Sequence, residues 1–182
     1  MKEVLTFRDR QNTNCEKWDG LSDQFGQSDL LPLWVADMDF EAPLCVQEAL
    51  AAYLKTAVYG YYHPPKEYLD SFIKWEADWH TYQVEKEWIR FVPGVVPAIY
   101  WMIQTVTKPQ EHVLILPPVY YPFSEVISDN GRKIVSSDLF LGEDNRYHID
   151  YADFEKKIVE EQVKLFFLCN PHNPVGRVWT KE

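Results

Sequence analysis

The sequence contains little glycine, little sulfur and no long hydrophobic segment. Of its 182 residues, 7 are glycine, 3 are cysteine and 3 are methionine. No stretch approaches the roughly 20 consecutive apolar residues that a membrane-spanning helix needs. The N-terminal residues lack the apolar core of a secretory signal peptide, so we expect a protein that is not exported. Cys15, Cys45 and Cys169 are widely spaced and form no CxxC pair, which predicts reduced thiols and a cytoplasmic location.

Basic residues are also scarce: the sequence has 18 lysines and arginines and 28 acidic residues, which gives a net charge of −10. Nucleic acids and anionic membranes bind concentrated positive charge, so we expect neither as a partner. The five histidines show no metal-ligand spacing, so no metal site is predicted. Aromatic residues are abundant, with 7 Trp, 11 Tyr and 10 Phe, and this abundance favours an ordered chain with a core.

Hydrophobic periodicity divides the chain into two parts. The polar start predicts an N-terminal arm with a following apolar loop over residues 1–41, and an α/β unit is expected over 42–182. Helices are predicted over 43–57, 66–84, 121–128 and 150–161, and a further helix follows the turn at 93–97 and ends at 106. Strands are predicted over 88–92, 112–116, 133–137 and 163–169. This alternation is typical of a mostly parallel sheet with flanking helices. The aromatic stripe of the second helix is interpreted as core material.

Two segments, from Gly94 onward and from Asn170 onward, fall at the carboxyl ends of predicted strands, where ligands of parallel sheets bind. The segment 117–122, which follows another predicted strand, could also contribute to a site. At Gly94, Val95 and Val96 a turn enters a helix, and the free N–H groups and the helix dipole suit a phosphate. A plain strand-to-helix turn explains the same residues. Tyr120, within the proline-rich segment 117–122, could stack on a flat ring, or it could belong to a rigid corner of the core.

The most specific segment is Asn-Pro-His-Asn-Pro-Val-Gly at positions 170–176. Two Asn-Pro steps stiffen the backbone, because the residue before a proline is confined to extended conformations. The Asn173 side chain is thereby fixed in space, and its amide can donate a hydrogen bond to a phenolate-type oxygen. A simple turn explains this combination less well than a binding site does.

With these motifs the chain resembles the class I/II aminotransferase-like enzymes, the pyridoxal-phosphate (PLP) family of fold type I. Leu-Trp-Val-Ala-Asp-Met-Asp-Phe at 33–40, Tyr-Gly-Tyr at 59–61, Pro-Gly-Val-Val-Pro-Ala at 93–98 and the segment 170–179 are similar to the MalY/PatB group of cystathionine β-lyases. The resemblance covers nearly the whole chain. It implies that residues 42–182 are the N-terminal, incomplete part of the large PLP-binding domain, and that residues 1–41 include a loop on the substrate side.

The resemblance also implies roles for individual residues. The cofactor, pyridoxal 5′-phosphate, would be held by Asn173 at the ring oxygen O3′, by Tyr120 on the pyridine ring, and by Gly94, Val95 and Val96 at the phosphate. Tyr61 would reach the phosphate of a neighbouring subunit, which implies a homodimer. Val35, Ala36 and Asp37 would line the substrate side of the site.

The activity that the resemblance implies is β-elimination from cystathionine or cysteine-type amino acids, which gives a thiol, pyruvate and ammonia. Transamination of amino acids would use the same residues and stays open. In the family a Schiff-base lysine lies in a Ser-x-Ser-Lys segment, and none occurs here. We therefore expect an N-terminal fragment with no catalytic residue of its own, not competent alone. Two further alternatives are a non-catalytic binding module and a nucleotide-binding domain, and the latter lacks its glycine fingerprint.

Overall fold

The computed structural model describes residues 5–181, which form two compact units. The first unit ends at Pro65 and the second begins at Lys66. The division after residue 41 that the sequence suggested stays a prediction. Within the described range, no helix combines the length and the apolar character that crossing a membrane requires.

The first unit contains three helices, α1 (Glu16–Asp19), α2 (Leu21–Phe25) and α3 (Leu44–Leu54). Gly20 separates α1 from α2, and Gly26 ends α2 in the left-handed conformation with φ of 70°, which glycine adopts at no steric cost. The two short helices lie inside the segment that was expected to be a polar arm. The third helix has no buried residue.

The second unit contains the expected parallel sheet. Its elements are α4 (Lys66–His80), a 3-10 helix (Lys86–Trp88), α5 (Val95–Val106), β1 (His112–Ile115), α6 (Pro122–Asp129), β2 (Lys133–Ser136), β3 (Phe140–Leu141), β4 (Tyr147–His148), α7 (Tyr151–Glu160) and β5 (Leu165–Phe166). The sheet has the order β2-β1-β5, and both pairs are parallel. Strands β3 and β4 form a separate antiparallel hairpin. The predicted fold class, a mostly parallel sheet with flanking helices, is confirmed.

The central strand β1 is buried on both faces, which explains its continuous apolar sequence. Val113 and Ile115 face a core cluster beneath α5 and α6. Leu114, and Leu116 just after the strand, face a second cluster that includes residues of α7. Because side chains alternate along a strand, one apolar run supplies both cores. The sheet is therefore the middle of three layers.

Helices α6 and α7 of the second unit begin where local chemistry predicts. The carboxylate of Asp150 accepts hydrogen bonds at 3.0 Å from the backbone N–H groups of Ala152 and Asp153 and caps α7. Pro122 opens α6, where a missing N–H costs nothing. Gly131, with φ of 67°, allows the chain to leave α6 and enter β2.

Two strand predictions differ from the structure. Residues 88–92 form no strand: Trp88 ends the 3-10 helix, Ile89 after it is extended, and residues 89–92 pair with no described strand. A strand exists only where a neighbour completes its hydrogen bonds, which local sequence does not reveal. The last strand covers Leu165–Phe166 rather than 163–169, because only this part of it pairs with β1.

The aromatic stripe of α4 is exposed rather than packed in a core, so that interpretation was wrong for this structure. The stripe consists of Tyr68, Phe72, Trp75 and Trp79, each exposed by at least two-fifths. Trp75 and Trp79 contact each other, with ring centroids 5.4 Å apart. Helix α4 also ends at His80 rather than at residue 84, because Thr81 adopts a left-handed conformation.

Candidate functional site

The carboxyl ends of β1 and β5 lie side by side at a topological switch point. The chain leaves β1 through α6 to reach β2 on one side, and it later returns through α7 to β5 on the other side. In doubly wound sheets, ligands bind in the crevice at such a point, beyond the carboxyl ends of the strands. Two loops begin there, one over residues 116–121 and the other over residues 167–179.

The N-terminus of α5 lies at the same edge of the sheet. Its other end is held at the opposite edge, because Arg132, just before β2, donates from Nε to Thr107 Oγ1 at 3.0 Å and from Nη2 to Thr107 O at 2.6 Å. A helix of 12 residues spans about 18 Å, the height of a short sheet. Val96 packs against the same core cluster as Tyr120 and Cys169. The predicted cofactor segments of the second unit therefore meet at one edge.

Gly94 turns the chain into α5 with a backbone conformation that only glycine adopts readily. Its φ is 130° and its ψ is 163°. Val95 and Val96 are the first residues of α5, where backbone N–H groups have no acceptor within the helix. Pro97 has no N–H to satisfy. These two donors have no acceptor within residues 5–181, and at the positive end of the helix dipole they form a site that suits a phosphate group.

Replacing Gly94 by alanine is expected to destabilise the protein by about 1–3 kcal/mol, because alanine is strained at this φ and ψ. The added Cβ would only touch Pro97 Cδ at 3.6 Å, so the cost comes from the backbone and not from a clash. Gly60→Ala is the matched control, since Gly60 has open space around it and no positive φ. Urea unfolding measures both changes, and equal midpoints for the two variants would contradict the strained role of Gly94.

Tyr120 is held by the core and is only partly exposed. Its ring packs edge to face on Phe123, with centroids 6.1 Å apart. Phe123 packs in the same way on Phe167, which follows β5, at 5.2 Å. The Tyr120 ring is thus held by Phe123 of α6, which is itself supported by Phe167 of the second loop. A ring anchored in this way is suited to stacking on a flat ligand.

Asn173 presents its side chain to solvent from a rigid loop. Its backbone N–H donates to Cys169 Sγ at 3.3 Å, and the N–H of Gly176 donates to the carbonyl of His172 at 2.8 Å. The peptide bonds before Pro171 and Pro174 are cis. The Asn173 amide makes no hydrogen bond to any residue between 5 and 181, so its N–H₂ group is available to a ligand.

His172, which the sequence did not single out, is buried between the two loops. It is 1% exposed, its Nε2 lies 3.1 Å from Pro118 O, and its Nδ1 accepts from Trp179 Nε1 at 3.1 Å. Burial lowers the pKa of His172. No local pattern predicts this contact, because Pro118 lies 54 residues earlier in the chain. The only available signal was a histidine placed between two Asn-Pro steps.

The substrate-side loop predicted at residues 35–37 belongs to the first unit, where an ionic network fixes its end. Arg10 Nη1 donates to Asp37 Oδ2 at 2.6 Å. Lys17 Nζ donates to Asp37 O at 2.8 Å and to Asp39 Oδ2 at 2.6 Å. Trp18 Nε1 donates to the other oxygen of Asp39 at 3.1 Å. Val35 is partly buried and Ala36 is exposed, so the loop has a defined course with an accessible centre.

The network predicts a specific response to acid. The hydrogen bonds from Lys17 and then Trp18 lower the pKa of Asp39 below its ordinary value of 3.8. A lowered pKa means that the carboxylate stabilises the fold above the unfolded-state pKa, and that this contribution disappears as pH falls through the lower folded-state pKa. We expect Asp39→Asn to be less stable than the wild type at neutral pH, with the difference vanishing in strong acid.

Acid and urea unfolding, followed by tryptophan fluorescence, measure this effect. Asp29→Asn serves as the control, because Asp29 is exposed and forms no ion pair with residues 5–181. A stability difference between wild type and Asp39→Asn that stays constant from pH 7 to pH 2 would contradict the assignment.

Tyr61 lies after α3 in an extended segment of the first unit and is fully exposed. The neighbouring Tyr59 is tied back by a hydrogen bond from its hydroxyl group to Leu54 O at 2.9 Å. The exposure of Tyr61 leaves its hydroxyl group free for an external partner. Its role at a cofactor stays a prediction.

The geometry of the second unit is that of a binding site for a particular class of ligand. A helix N-terminus with two N–H donors that have no acceptor within residues 5–181, an anchored aromatic ring and an exposed amide at one edge of a parallel sheet are together suited to a phosphorylated aromatic ligand. The chain belongs to the class I and II aminotransferase family, whose sequence profile matches residues 28–182. The predicted family is thereby confirmed.

Individual relatives show which enzymes of this family the chain is similar to. The chain is 43% identical over 174 residues to cystathionine β-lyase PatB of Bacillus subtilis (strain 168), covering 96% of this chain and 45% of that protein. Cystalysin from Treponema denticola, whose crystal structure contains pyridoxal 5′-phosphate, matches with a TM-score of 0.88 and 38% identity over 100% of this chain and 46% of that one.

A PLP-bound C–S lyase from Staphylococcus hominis matches with a TM-score of 0.86 and 31% identity, covering 96% of this chain and 44% of that one. The chain thus spans a little less than half the length of the relatives that it matches. Its fold is that of the corresponding part of fold type I PLP enzymes.

Proposed function

We propose that the protein carrying this chain is a PLP-dependent C–S β-lyase, which converts cystathionine or cysteine-type amino acids to a thiol, pyruvate and ammonia. The chain supplies the contacts to the phosphate and to the ring of the cofactor. One observation supports the proposal: the start of α5 and the loops that carry Tyr120 and Asn173 lie at one edge of a parallel sheet, in a chain that is 43% identical to a cystathionine β-lyase. Neither the arrangement at the sheet edge nor the sequence identity would by itself support this proposal.

The residues present fit the chemistry of pyridoxal phosphate. The backbone N–H groups of Val95 and Val96 match the phosphate, and the anchored ring of Tyr120 matches the pyridine. The Asn173 amide, which makes no hydrogen bond within residues 5–181, matches the phenolic oxygen. When bound, the cofactor supplies an electron sink that stabilises negative charge at the α-carbon of an amino acid.

The chain's own residues would act by positioning. The start of α5 would hold the phosphate dianion, and Tyr120 would fix the plane of the ring. Asn173 would donate a hydrogen bond to the phenolic oxygen and so stabilise its negative charge. In the first unit, the loop at residues 35–37, whose end the Asp39 network holds, stays a predicted contact of the substrate. No lysine of this chain lies in a Ser-x-Ser-Lys segment, so none is assigned the transfer of the α-proton.

We also propose that the protein works as a cytoplasmic homodimer. The exposed Tyr61 supports the dimer, because its hydroxyl group is free to contact a cofactor bound by a second subunit. The free thiols of Cys15, Cys45 and Cys169 support a reducing compartment. Light scattering on the PLP-loaded protein tests the dimer directly.

A transaminase is the second candidate, because the family is described as aminotransferases and the visible contacts suit either reaction. The test uses the full-length gene product with PLP and L-cystathionine, and it follows thiol and pyruvate separately. A lyase releases the two in equal amounts without an added keto acid. A transaminase forms no thiol and requires a keto acid as amino-group acceptor. A protein that binds no PLP overturns both candidates and favours the non-catalytic binding module.

A further inference from the structure

We propose that His172 is a positioning residue, which joins the loop of Tyr120 to the loop of Asn173 and so fixes the two contacts to the cofactor ring relative to each other. The inference deepens the proposed function and rests on it for the identity of the ligand. His172 itself contacts the loops and not the ligand. Its importance follows from where it is buried and from what its two ring nitrogens bind.

The hydrogen-bond partners of His172 define the state of its ring. The indole N–H of Trp179 can only donate, so His172 Nδ1, at 3.1 Å, must accept. The proton of a neutral ring is then on Nε2, which donates to the carbonyl oxygen of Pro118 at 3.1 Å. Both nitrogens of the buried imidazole are thus used, and exchanging their roles would leave two donors or two acceptors facing each other. The lowered pKa of His172, caused by burial, agrees with this neutral form.

The two ends of this connection lie close to the predicted ligand contacts. Pro118 stands two residues before Tyr120, and Asn173 is the residue after His172. Among the described residues, the bond from His172 to Pro118 is the only side-chain hydrogen bond that joins the two loops. The backbone of the second loop is folded around the same residue, since His172 N donates to Arg177 O at 2.6 Å.

This arrangement has a consequence for binding. Tyr120 and Asn173 would contact one rigid ring, so the spacing between them must match that ring. Loops that separate by even 1 Å lose the benefit of a preorganised site. A connection across the switch point maintains that spacing before any ligand arrives. The sheet alone does not, because the backbone hydrogen bonds between β1 and this strand end at Phe167, whose N–H donates to Leu114 O, six residues before Asn173.

Two substitutions of His172 each keep one of its two side-chain hydrogen bonds and remove the other. In His172→Gln the amide reaches the position of Nε2 and can still donate to Pro118. In His172→Asn the shorter amide reaches only the position of Nδ1 and can still accept from Trp179. We expect His172→Asn to weaken PLP binding about tenfold, because the hydrogen bond to Pro118 O is lost and that carbonyl oxygen is left without its donor. His172→Gln should stay within about threefold of the wild type.

The experiment measures the PLP dissociation constant of the full-length protein, and amide hydrogen exchange of the same variants without PLP. Trp179→Phe keeps the aromatic contact with His172 and removes the hydrogen bond to its Nδ1. His80→Asn is the control, because it changes an exposed histidine at the end of α4. We expect faster exchange in both loops for His172→Asn, and wild-type exchange for His80→Asn.

The outcomes are distinct for the two proposals. A wild-type protein that binds no PLP defeats the proposed function, and hydrogen exchange then decides whether His172 joins the loops. A wild type that binds PLP, together with a His172→Asn variant of unchanged affinity and exchange, overturns the inference. It is also overturned if Gln and Asn at position 172 lower the affinity and the melting temperature equally, because that result describes a general packing role.

Discussion

Replacing Asn173 by alanine is expected to weaken PLP binding by about 10- to 150-fold, while the melting temperature stays unchanged. A hydrogen bond to a charged group contributes about 1.5–3 kcal/mol, and each 1.4 kcal/mol is a factor of ten. The Asn173 side chain is exposed and makes no hydrogen bond within residues 5–181, so its removal costs the fold nothing. Titration of the full-length protein with PLP, followed by absorbance, measures the effect.

Asn173→Asp is the sharper companion to the alanine variant. The carboxylate has the same shape as the amide but offers only acceptors. It would face the negative phenolic oxygen without a donor, so we expect it to bind PLP more weakly than alanine does. An alanine variant within twofold of the wild type, or an aspartate variant that binds as well as asparagine, would contradict the role of Asn173.

Replacing Leu114 by alanine is expected to lower the free energy of unfolding by about 2–5 kcal/mol. Leu114 is completely buried at the centre of β1, where it packs in one cluster with Leu116, Val135 and Leu139. Removing three carbon atoms loses their transfer free energy and leaves a cavity between the sheet and α7. Urea unfolding of the full-length protein, followed by far-UV circular dichroism, measures the change.

Leu141→Ala provides the control for this substitution. Leu141 lies in β3, also in the second unit, but its side chain is 57% exposed. The same chemical change there should alter the unfolding free energy by no more than about 0.5 kcal/mol. Similar losses at positions 114 and 141 would mean that β1 is not the centre of the core.

The parts of the fold that depend on local sequence were predictable. Helices α6 and α7 begin within a residue of the expected positions, because Pro122 and Asp150 determine where they can start. Strand β1 was recognisable from its unbroken apolar run, which a parallel strand needs on both faces. In each case the deciding interaction is made within a few residues of the chain.

The parts that depend on distant partners were not predictable. The segment 88–92 has the composition of a strand but no neighbour among the described strands. The β3–β4 hairpin has only two residues in each strand, too few for alternation to be visible. The stripe of α4 satisfies helical periodicity equally well whether it is covered or exposed, because periodicity identifies a face and not what lies against it.

The residues of the candidate site also fall into those that the sequence predicts and those that depend on distant partners. Tyr120 and Asn173 could be placed at one edge from the sequence, since the carboxyl ends of parallel strands share an edge. Gly94 was expected there because it follows a predicted strand at 88–92, which the structure lacks; its position at that edge comes from helix α5 instead. His172 and Asp39 could not be identified as positioning groups. The partners of Asp39 lie about 20 residues away and the partner of His172 lies 54 residues away, and no short motif encodes such distances.

The order of the strands also has a consequence for how the molecule folds. Strand β2 follows β1 after a single helix, whereas β5 joins β1 only after the hairpin and α7 have been made. Closing the longer loop costs more chain entropy, so we expect the β1–α6–β2 unit to form first and β5 to dock last. The crevice between β1 and β5 is then the final part of the second unit to assemble. A ligand that occupies it would act late in folding, by trapping the last strand in place.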